Sequence, residues 1–329
     1  MISKKAYLSY SLSNNLGDYI QSIATKQLIG EDAIGIDREN LHKYNGPNVH
    51  LLMNGWFMQN PNNWPPNKKI TPFFTSFHIN PIAKNNLLSS KGIEYFKKHE
   101  PIGCRDIYTQ KILNEKGVET YFSGCLTLTL RNKKKRFKRK GVLVAGALDR
   151  IEPNFNTNNP FIELLKYPFK IIKHKKLKKR LRNFLTKNKF SDVKYKSQIV
   201  DTNKSNEKER VILANEQLKL IEKSELVITS RIHVALPAVA YGTKVIFLND
   251  GLSSINHTSR LAGISDYFFC CSSSDLNTLS LIDLKPKKNH LLLRKKLLES
   301  IDQFVNMKNK QSSYEYINFR FWRKRTHIL

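Results

Sequence analysis

Residues 225–248 read Glu-Leu-Val-Ile-Thr-Ser-Arg-Ile-His-Val-Ala-Leu-Pro-Ala-Val-Ala-Tyr-Gly-Thr-Lys-Val-Ile-Phe-Leu, and this stretch decides the fold. Its pattern predicts an apolar strand over 226–229, a tight turn, a helix of small residues and a second apolar strand over 244–248. Gly242 is placed to end the helix. Pro237 has no N–H to donate to the carbonyl of His233, so we expect the helix to kink there. Two buried strands joined by a helix are typical of a parallel α/β sheet.

Ser230, Arg231 and His233 lie where the first of these strands passes into the helix. Ligands of open parallel sheets bind at this edge, because backbone N–H groups and the positive end of a helix converge there. Arg binds carboxylate and phosphate in bidentate geometry, and His exchanges protons near neutral pH. A His that packs inside the domain is the alternative explanation. The neighbouring Arg231 favours a site for an anionic substrate that needs a proton moved.

Strand and helix patterns alternate along the rest of the chain. The predicted strands are 6–10, 49–53, 73–78, 118–122, 141–146 and 198–200, and the predicted helices are 19–28, 106–116, 173–189, 208–223 and 289–305. This alternation predicts an α/β protein with two Rossmann-like domains facing a cleft. We expect an N-terminal domain over 1–135, a C-terminal domain over 140–310, and an aromatic and basic tail over 311–329.

Composition limits the class of protein. The chain has 329 residues, of which 40% are hydrophobic and 10% aromatic, as in globular proteins. Its four cysteines form no CxxC pair and indicate neither a disulfide framework nor a zinc knuckle. No apolar run approaches the roughly 18 residues that span a bilayer, and the first residues lack the apolar region of a signal peptide. A cytoplasmic protein is therefore expected.

Positive charge is the unusual feature of the composition. The chain has 56 Lys and Arg against 27 Asp and Glu, a formal net charge of +29, and much of it lies in two blocks, 131–140 and 173–189. The second block spaces four apolar residues as in a helix: Leu177, Leu181, Phe184 and Leu185. Such a helix suits an anionic membrane surface, although a solvated basic surface explains it equally well. Nucleic-acid binding ranks last, because no recognition module accompanies the charge.

A second candidate region, Asn14 to Asp18, follows the first strand. Asp18 at a helix start is most simply an N-cap, but a turn after the first strand also lies at the ligand-binding edge. The turn is not a GxGxxG fingerprint, which disfavours a dinucleotide. Arg105 and Asp106 repeat the arrangement, with Asp106 as a helix cap and Arg105 free to face the cleft. Arg150, after the strand at 141–146, is a weaker instance.

Five stretches together resemble the polysaccharide pyruvyl transferase family in their order and spacing. They are Asn14-Asn-Leu-Gly-Asp18; Asn54-Gly-Trp-Phe57; Gly103-Cys-Arg-Asp106 with Tyr108-Thr109; Ser123-Gly-Cys-Leu-Thr-Leu128; and Ile228-Thr-Ser-Arg-Ile-His233 with Ala235-Leu-Pro-Ala238 and Gly242. The family's Ser-Arg-Leu-His element corresponds here to Ser230-Arg231-Ile232-His233, whose Arg and His are expected to meet the donor.

The resemblance implies a GT-B-like fold, with the acceptor on the N-terminal side of the cleft and the donor on the C-terminal side. It implies transfer of a pyruvyl group from phosphoenolpyruvate, as a ketal, onto a sugar of a cell-surface polysaccharide or of its lipid-linked precursor. Phosphoenolpyruvate is then a co-substrate, and neither a cofactor nor a metal is expected. No His, Asp or Glu cluster has the spacing of metal ligands.

This chemistry suggests roles for the candidate residues. His233 is the expected general acid/base. The expected donor-binding residues are Ser230, Arg231, Arg105, Arg150 and Arg260, with His257 as a looser candidate. The residues expected to bind the acceptor or line the cleft are Asn14, Asn15, Gly17, Asp18 and Asn54.

Two other functions stay open. A GT-B glycosyltransferase would bind a nucleotide-activated sugar in the same cleft, but no convincing acidic partner for its ribose lies near 231–250. A non-enzymatic basic protein would bind membrane or nucleic acid. As an enzyme, the protein is expected in the cytoplasm or peripherally on the inner face of the membrane through 173–189. Its expected partners are a glycan or lipid-linked acceptor and no nucleic acid.

Overall fold

The computed structural model describes residues 4–131, 138–147, 149–153, 155 and 160–306. These residues form an α/β protein with two parallel sheets, one of six strands and one of five. The central strands 142–145 and 226–229 are buried along their whole length. Such strands are typical of parallel sheets, because helices cover both faces. The predicted α/β class with two Rossmann-like halves is therefore confirmed.

The N-terminal sheet has the strand order β2-β1-β3-β4-β5-β6, and every neighbouring pair is parallel. Its strands are β1 (Lys4–Ser9), β2 (Ile34–Asp37), β3 (Val49–Phe57), β4 (Ile70–Ile79), β5 (Ile102–Cys104) and β6 (Thr120–Phe122). The helices of this half are α1 (Leu16–Ile29), α2 (Lys84–Leu87), α3 (Ser90–Lys98) and α4 (Ile107–Asn114).

The C-terminal sheet has the strand order β11-β10-β9-β7-β8 and is also parallel throughout. Its strands are β7 (Val142–Ala145), β8 (Val193–Lys196), β9 (Leu226–Thr229), β10 (Lys244–Leu248) and β11 (Phe269–Cys271). The helices that follow β6 in the chain are α5 (Pro160–Lys187), α6 (Glu207–Lys223), α7 (Ile232–Tyr241), α8 (Ile255–Leu261) and α9 (Leu291–Asn306).

In both sheets, the first strand lies between the second and third strands of that half. β1 lies between β2 and β3, and β7 lies between β8 and β9. In each sheet, the chain adds the next strand on one side of the first strand and the following strand on its other side. The loops that leave the carboxyl ends of the two neighbouring strands therefore turn in opposite directions, and a crevice opens between these loops. Each half therefore has one topological switch point, beside β1 and β3 in the first and beside β7 and β9 in the second.

Helices join the two halves. α1 of the N-terminal half packs against α6 and α7 of the C-terminal half. One cluster of buried apolar residues runs from Leu8 and Ile20 in the first half to Val227 and Val234 in the second. This shared core fixes the start of α1 beside the start of α7.

The last helix, α9, packs on the N-terminal sheet. Phe304 of α9 stacks on Phe73 of β4 with ring centroids 4.9 Å apart, and Ile301 joins the same buried cluster as Leu52 and Ile29. α9 therefore returns to the N-terminal half, because its apolar stripe complements an apolar face there. Residues 132–137 of the expected linker and the tail 311–329 lie outside the described residues.

The strand predictions succeed where the strands are long or fully buried. β9 and β10 have the predicted bounds, and β1, β3 and β4 overlap the predictions at 6–10, 49–53 and 73–78. The strand predicted at 198–200 is wrong: the strand of this region is β8, and Ile199 forms only a single bridge to Asn15. β8 carries lysines and lies mostly exposed at the edge of its sheet, so it has no apolar run to reveal it.

The basic block 173–189 is helical over most of its length, as the end of α5. Its four apolar residues face inward: Leu181, Phe184 and Leu185 pack with Val144, Ile228 and Leu248 of the sheet, and Leu177 is also buried. These four residues are therefore buried inside the protein and are not a surface that a membrane could meet. In the described part of the chain, no helix is long and apolar enough to cross a membrane.

Candidate active site

A pocket lies at the junction of the two halves, where both switch points meet. Its walls come mainly from segments that follow β1, β2, β3, β5, β7, β8, β9 and β10, together with Trp56 and Phe247 near the carboxyl ends of β3 and β10. It is lined by Ser13, Asn14, Asn15, Asp18, Arg38, Trp56, Gln59, Arg105, Arg150, Gln198, Ser230, Arg231, Ile232, His233, Phe247, Leu252, His257, Arg260 and Leu261. Five arginines and two histidines are among them, and Asp18 is the sole carboxylate in this set of described residues.

The turn after β9 is fixed to the turn after β7. The hydroxyl of Ser230 lies 3.0 Å from the carbonyl oxygen of Ala147 and 2.8 Å from that of Leu248, to which it can donate. Arg231 Nη2 donates to Asp149 Oδ2 over 2.9 Å. Ser230 therefore binds main chain rather than projecting a free hydroxyl, and Arg231 is oriented by a carboxylate behind it.

Gly146 makes the close approach of Arg231 possible. It adopts a left-handed φ of 60°, and a Cβ atom there would lie 2.7 Å from Cγ of Arg231. Only a residue without a side chain leaves the arginine this path along the turn. The backbone after β7 thus sets the direction in which Arg231 reaches the pocket.

His233 occupies an irregular position near the start of α7. Its φ of −81° and ψ of 17° depart from helical values, as expected with Pro237 one turn later. The side chain is half-buried, and its Nε2 atom is enclosed without a hydrogen-bond partner among the described residues. On the other side, a Cβ atom at Gly17 would lie 2.9 Å from Nδ1. The ring is thus held between the two halves with one nitrogen unsatisfied.

The surroundings favour the neutral form of His233. Burial lowers its pKa well below the usual value, and the nearby charges of Arg105 and Arg260 lower it further. An imidazole in this state can accept a proton. A negative charge placed in the pocket would oppose the arginines and raise the same pKa.

Arg150 and Arg260 are the cations with the least compensation. No ion pair joins either of them to a carboxylate within the described ranges, and the Nε atom of each is buried without a partner. Burial lowers the pKa of Arg150 to about 10 and that of Arg260 to about 9, with neighbouring arginines adding to the effect. Arg150 Nη1 donates to His257 Nε2 over 2.9 Å, and the pKa of His257 falls to about 4 through burial and these cations. Unpaired guanidinium groups that share a pocket form a site for an anion.

The N-terminal wall begins at α1. Asn15 is the N-cap, since its side chain accepts a hydrogen bond from the N–H of Gly17. Asp18 therefore does not cap the helix. It accepts from Ser13 Oγ over 2.7 Å and lies 4.0 Å from Nη1 of Arg38. Both Asn15 and Asp18 consequently stand at the positive end of α1, facing the pocket.

Arg38 was not predicted and is the most firmly held cation of the pocket. Its Nε lies 2.6 Å from Oε1 of Glu39, and Nη1 donates to the carbonyl of Trp56 over 3.2 Å. The guanidinium also lies 4.8 Å from the centre of the Trp56 ring. Arg38 follows β2, a four-residue strand containing Gly35 that carries too little apolar pattern to be recognised.

Arg105 is backed by a buried carboxylate and a buried histidine. Asp106 caps α4 through the N–H of Thr109 and lies 3.5 Å from Nε of Arg105. His78 Nδ1 lies 2.6 Å from Oδ2 of Asp106, and burial lowers the pKa of His78 to about 4. The ring of His78 thus lies against Asp106 and within hydrogen-bond distance of Thr109 Oγ1, and Asp106 holds Arg105 at the pocket wall. His78 was missed because it lies inside a long apolar strand.

Most predicted residues reach this pocket. The structure brings together there His233, Ser230, Arg231, Arg105, Arg150, Arg260, Asn14, Asn15 and Asp18, and also the looser candidate His257. Gly17 does not line the pocket but touches His233. Asn54 does not belong there: it is buried and accepts a hydrogen bond from Thr25 of α1. A bulge in β3 between Met53 and Gly55 breaks the strand's alternation, so Trp56 reaches the pocket instead.

Other lining residues were missed. Gln59 and Gln198 come from loops, and polar loop residues carry no sequence pattern that distinguishes a pocket wall from solvent. Within the described ranges, no group of three or more His, Cys, Asp or Glu side chains is arranged to hold a metal ion.

Comparison with known proteins identifies a protein family that this chain matches. A model of the family described as polysaccharide pyruvyl transferase matches residues 15–251, most of the described chain. The match includes Arg105, Arg150, Arg231 and His233, whereas His257 and Arg260 lie beyond its end. No curated protein matches the chain at a significant level.

Proposed function

The chain belongs to the polysaccharide pyruvyl transferase family, and from that premise we propose that it transfers a pyruvyl group from phosphoenolpyruvate to a sugar of a cell-surface polysaccharide or of its lipid-linked precursor. The observation that carries this proposal is the convergence of five arginines and His233 on one pocket. Phosphoenolpyruvate carries a phosphate and a carboxylate on the same carbon of one small molecule, so it needs several cations close together.

The donor would bind at the second switch point. Arg231, Arg150 and Arg260 are the proposed partners of its phosphate and carboxylate, because the last two have no competing carboxylate among the described residues. Arg105 and Arg38 come from the N-terminal half and would contact the donor from the opposite wall. Asn14, Asn15 and Asp18, at the start of α1, would meet the acceptor hydroxyls. This places the acceptor on the N-terminal side and the donor on the C-terminal side of a GT-B-like enzyme.

The proposed reaction joins two hydroxyls of one sugar to the same carbon. One hydroxyl adds to C2 of phosphoenolpyruvate while its C3 methylene gains a proton and becomes a methyl group. The C2–O bond to phosphate then breaks, and the second hydroxyl bonds to C2 to close a cyclic ketal. Of the two hydroxyl protons, one is balanced by the new methyl group and the other by the departing hydrogen phosphate.

His233 is the proposed proton carrier. In the unliganded pocket it is neutral, because burial and the arginines lower its pKa. The negative charge of bound phosphoenolpyruvate would offset the arginines and raise that pKa, so the ring could accept a hydroxyl proton and deliver one to C3. Its unsatisfied Nε2 atom supports this role, since a bound reactant would supply the missing partner.

A glycosyltransferase that uses a nucleotide sugar is the second candidate, and the pocket favours it less. A ribose is commonly held by a carboxylate, but Asp18 is the only carboxylate among the described lining residues and is engaged by Ser13 and Arg38. A purely non-enzymatic binding protein would have no need of uncompensated arginines around a half-buried, neutral histidine.

Thermal denaturation with candidate donors tests the donor directly. We expect phosphoenolpyruvate to raise the melting temperature of the full chain, and a uridine diphosphate sugar to leave it unchanged. Stabilisation by the nucleotide sugar alone would overturn the proposal. Inorganic phosphate serves as a control for simple anion binding and should stabilise less.

Transfer is tested with labelled phosphoenolpyruvate and a glycolipid fraction from the source cells, with the ketal methyl group detected by NMR. His233→Ala should abolish transfer, because no other group is proposed to move the proton. His290→Ala changes a half-buried histidine outside the pocket and should leave transfer intact. Undiminished transfer by His233→Ala would refute the catalytic assignment.

The proposed setting is the cytoplasmic face of the cell membrane. A lipid-linked glycan would present its sugar there, and the charge of +29 would favour peripheral contact with anionic lipids. Because the four apolar residues of 173–189 face the sheet, any such contact needs another surface.

A further inference from the structure

The long helix α5 extends well past the sheet that it covers. Its 28 residues span roughly 42 Å, whereas β7 has only four residues. The buried apolar residues of α5, from Leu177 to Leu185, all lie in its second half. Within the described residues, no apolar side chain of the first half is buried.

The overhanging part lies on the same side as the pocket. α5 connects two parallel strands, β7 and β8, so it starts at their carboxyl ends and runs back. Arg180 Nη1 donates over 3.0 Å to Oγ of Ser273, which lies two residues beyond the end of β11. Arg180 thus marks the carboxyl edge of the sheet, and residues 160–176 project beyond that edge, where Arg231 and His233 also lie.

The overhang exposes a set of large apolar side chains. Five of them are between 61% and 85% exposed: Phe161, Leu164, Leu165, Phe169 and Ile172. At about 100° per residue, Phe161, Leu165 and Ile172 fall within roughly 40° of one another, on the side opposite the buried Leu181. These five residues, the apolar face of α5, point away from the protein.

The same side of the helix becomes basic one turn later. Lys175, Lys176 and Lys179 are exposed and continue the direction of the apolar face. Residues 160–187 contain ten Lys and Arg but one acidic residue, Glu163, which is buried and paired with Lys170. The outward surface thus combines apolar side chains with positive charge that no acid of the helix neutralises.

We infer that the apolar face of α5, with Lys175, Lys176 and Lys179, docks the protein onto an anionic phospholipid bilayer. A bilayer interface accepts both parts at once: aromatic and aliphatic side chains enter the acyl boundary, and lysines meet the anionic headgroups. Nucleic acid would match the lysines but leave five apolar side chains without a partner. A second copy would bring together two lysine-rich helices, which repel each other.

This surface differs from the one that the sequence pattern indicated. The apolar residues at 177–185 pack in the core, and the residues proposed to face a membrane lie before them in the helix, between 161 and 172. If the protein is the pyruvyl transferase proposed above, docking through α5 would bring the pocket edge to the bilayer that carries a lipid-linked acceptor. This link to the acceptor rests on the proposed function, whereas the docking itself does not.

Vesicle flotation of the full chain tests the inference. We expect the protein to float with phosphatidylcholine vesicles that contain phosphatidylglycerol, and much less with phosphatidylcholine alone. In the triple variant Phe161→Ser, Leu165→Ser and Ile172→Ser, the fraction of protein bound to vesicles should fall at least tenfold. The charge variant Lys175→Glu, Lys176→Glu and Lys179→Glu should lose binding to the anionic vesicles to a similar extent.

The matched control removes three exposed apolar residues elsewhere, in Ile82→Ser, Ile212→Ser and Ile282→Ser, and should float like the wild type. Absence of wild-type flotation, or wild-type flotation by the apolar triple variant, would overturn the inference. The inference would also be overturned if the wild type were a dimer that does not bind vesicles and the apolar triple variant were a monomer. That outcome would identify a second copy of the chain as the occupant of the apolar face. Thermal stabilisation by phosphoenolpyruvate is measured on the same variants without vesicles. A variant that is still stabilised but no longer floats has lost docking alone, whereas absence of stabilisation in the wild type speaks against the proposed function and not against docking.

Discussion

The α-carbon of Gly17 lies against the ring of His233: a Cβ atom there would be 2.9 Å from Nδ1 and 3.1 Å from the Cβ of His233. This contact joins the first turn of α1 to the first turn of α7, and thus the N-terminal half to the proposed catalytic residue. It fixes the ring from the side of α1.

Gly17→Ala should therefore displace His233 and lower transfer at least tenfold, while the fold is kept. An alanine in a helix is worth about 1 kcal/mol over glycine, so the free energy of unfolding should change little as the clash and the gain offset each other. In a His233→Ala background the 2.9 Å clash with Nδ1 is gone and only the 3.1 Å approach to the retained Cβ is left, so the same Gly17→Ala change should be more favourable than in the wild type. Equal effects of Gly17→Ala in both backgrounds, measured by urea denaturation, would show that the contact does not matter.

Arg260 and Arg38 should respond oppositely to replacement. Arg260 has no carboxylate partner in the described chain, so Arg260→Gln should weaken phosphoenolpyruvate binding by roughly 10- to 100-fold without loss of stability. Arg38 is paired with the buried Glu39, so Arg38→Gln leaves that carboxylate without its cation and should cost roughly 3–5 kcal/mol. Calorimetric titration and chemical denaturation of both variants check the contrast, which fails if Arg260→Gln destabilises as much as Arg38→Gln.

Stability should fall as the pH drops from 7 toward 5. Burial lowers the pKa of His78, His99 and His257 to about 4, below the value near 6.5 of an unfolded chain. Between these values the unfolded chain binds protons that the folded chain does not, so acid favours unfolding. His78, which is fully buried, can contribute up to about 1.4 kcal/mol per pH unit.

Denaturation midpoints at pH 7 and pH 5 measure this slope. His99→Gln removes one of the three histidines from a position outside the pocket, and its stability should depend less on pH than that of the wild type. A wild-type protein equally stable at both values would contradict the assignment of neutral buried histidines.

The return of α9 to the N-terminal half predicts which of its residues matter. Phe304 is 3% exposed and stacks on Phe73, so Phe304→Ala should cost about 3–5 kcal/mol. Leu292 lies on the same helix but is 52% exposed, and Leu292→Ala should cost little. Thermal denaturation of the two variants decides the matter, and similar losses in both would argue against the observed packing.

Local pattern predicted one half of the site well and the other poorly. β9, the turn at Ser230 to His233, α7 with its irregular start, and β10 are all encoded within 24 consecutive residues, so neighbours in sequence suffice to define them. Arg38 follows a four-residue strand, and His78 lies inside an apolar one, so neither had a local signal. Asn54 was expected near the cleft, but the bulge in β3 turns it toward α1.

The sequence by itself determined the parallel α/β architecture, the strand-to-helix turn that carries Arg231 and His233, and the excess of positive charge, because each is written in residue type and short-range spacing. Only the tertiary structure decided which cations are neutralised. Arg38 and Arg231 meet carboxylates, whereas Arg150 and Arg260 do not, within the described residues. The same holds for α5, whose apolar residues divide into those that the sheet covers and those that it leaves exposed. Ion pairing and burial depend on distances between segments far apart in the chain, and only the packing of the two halves fixes those distances.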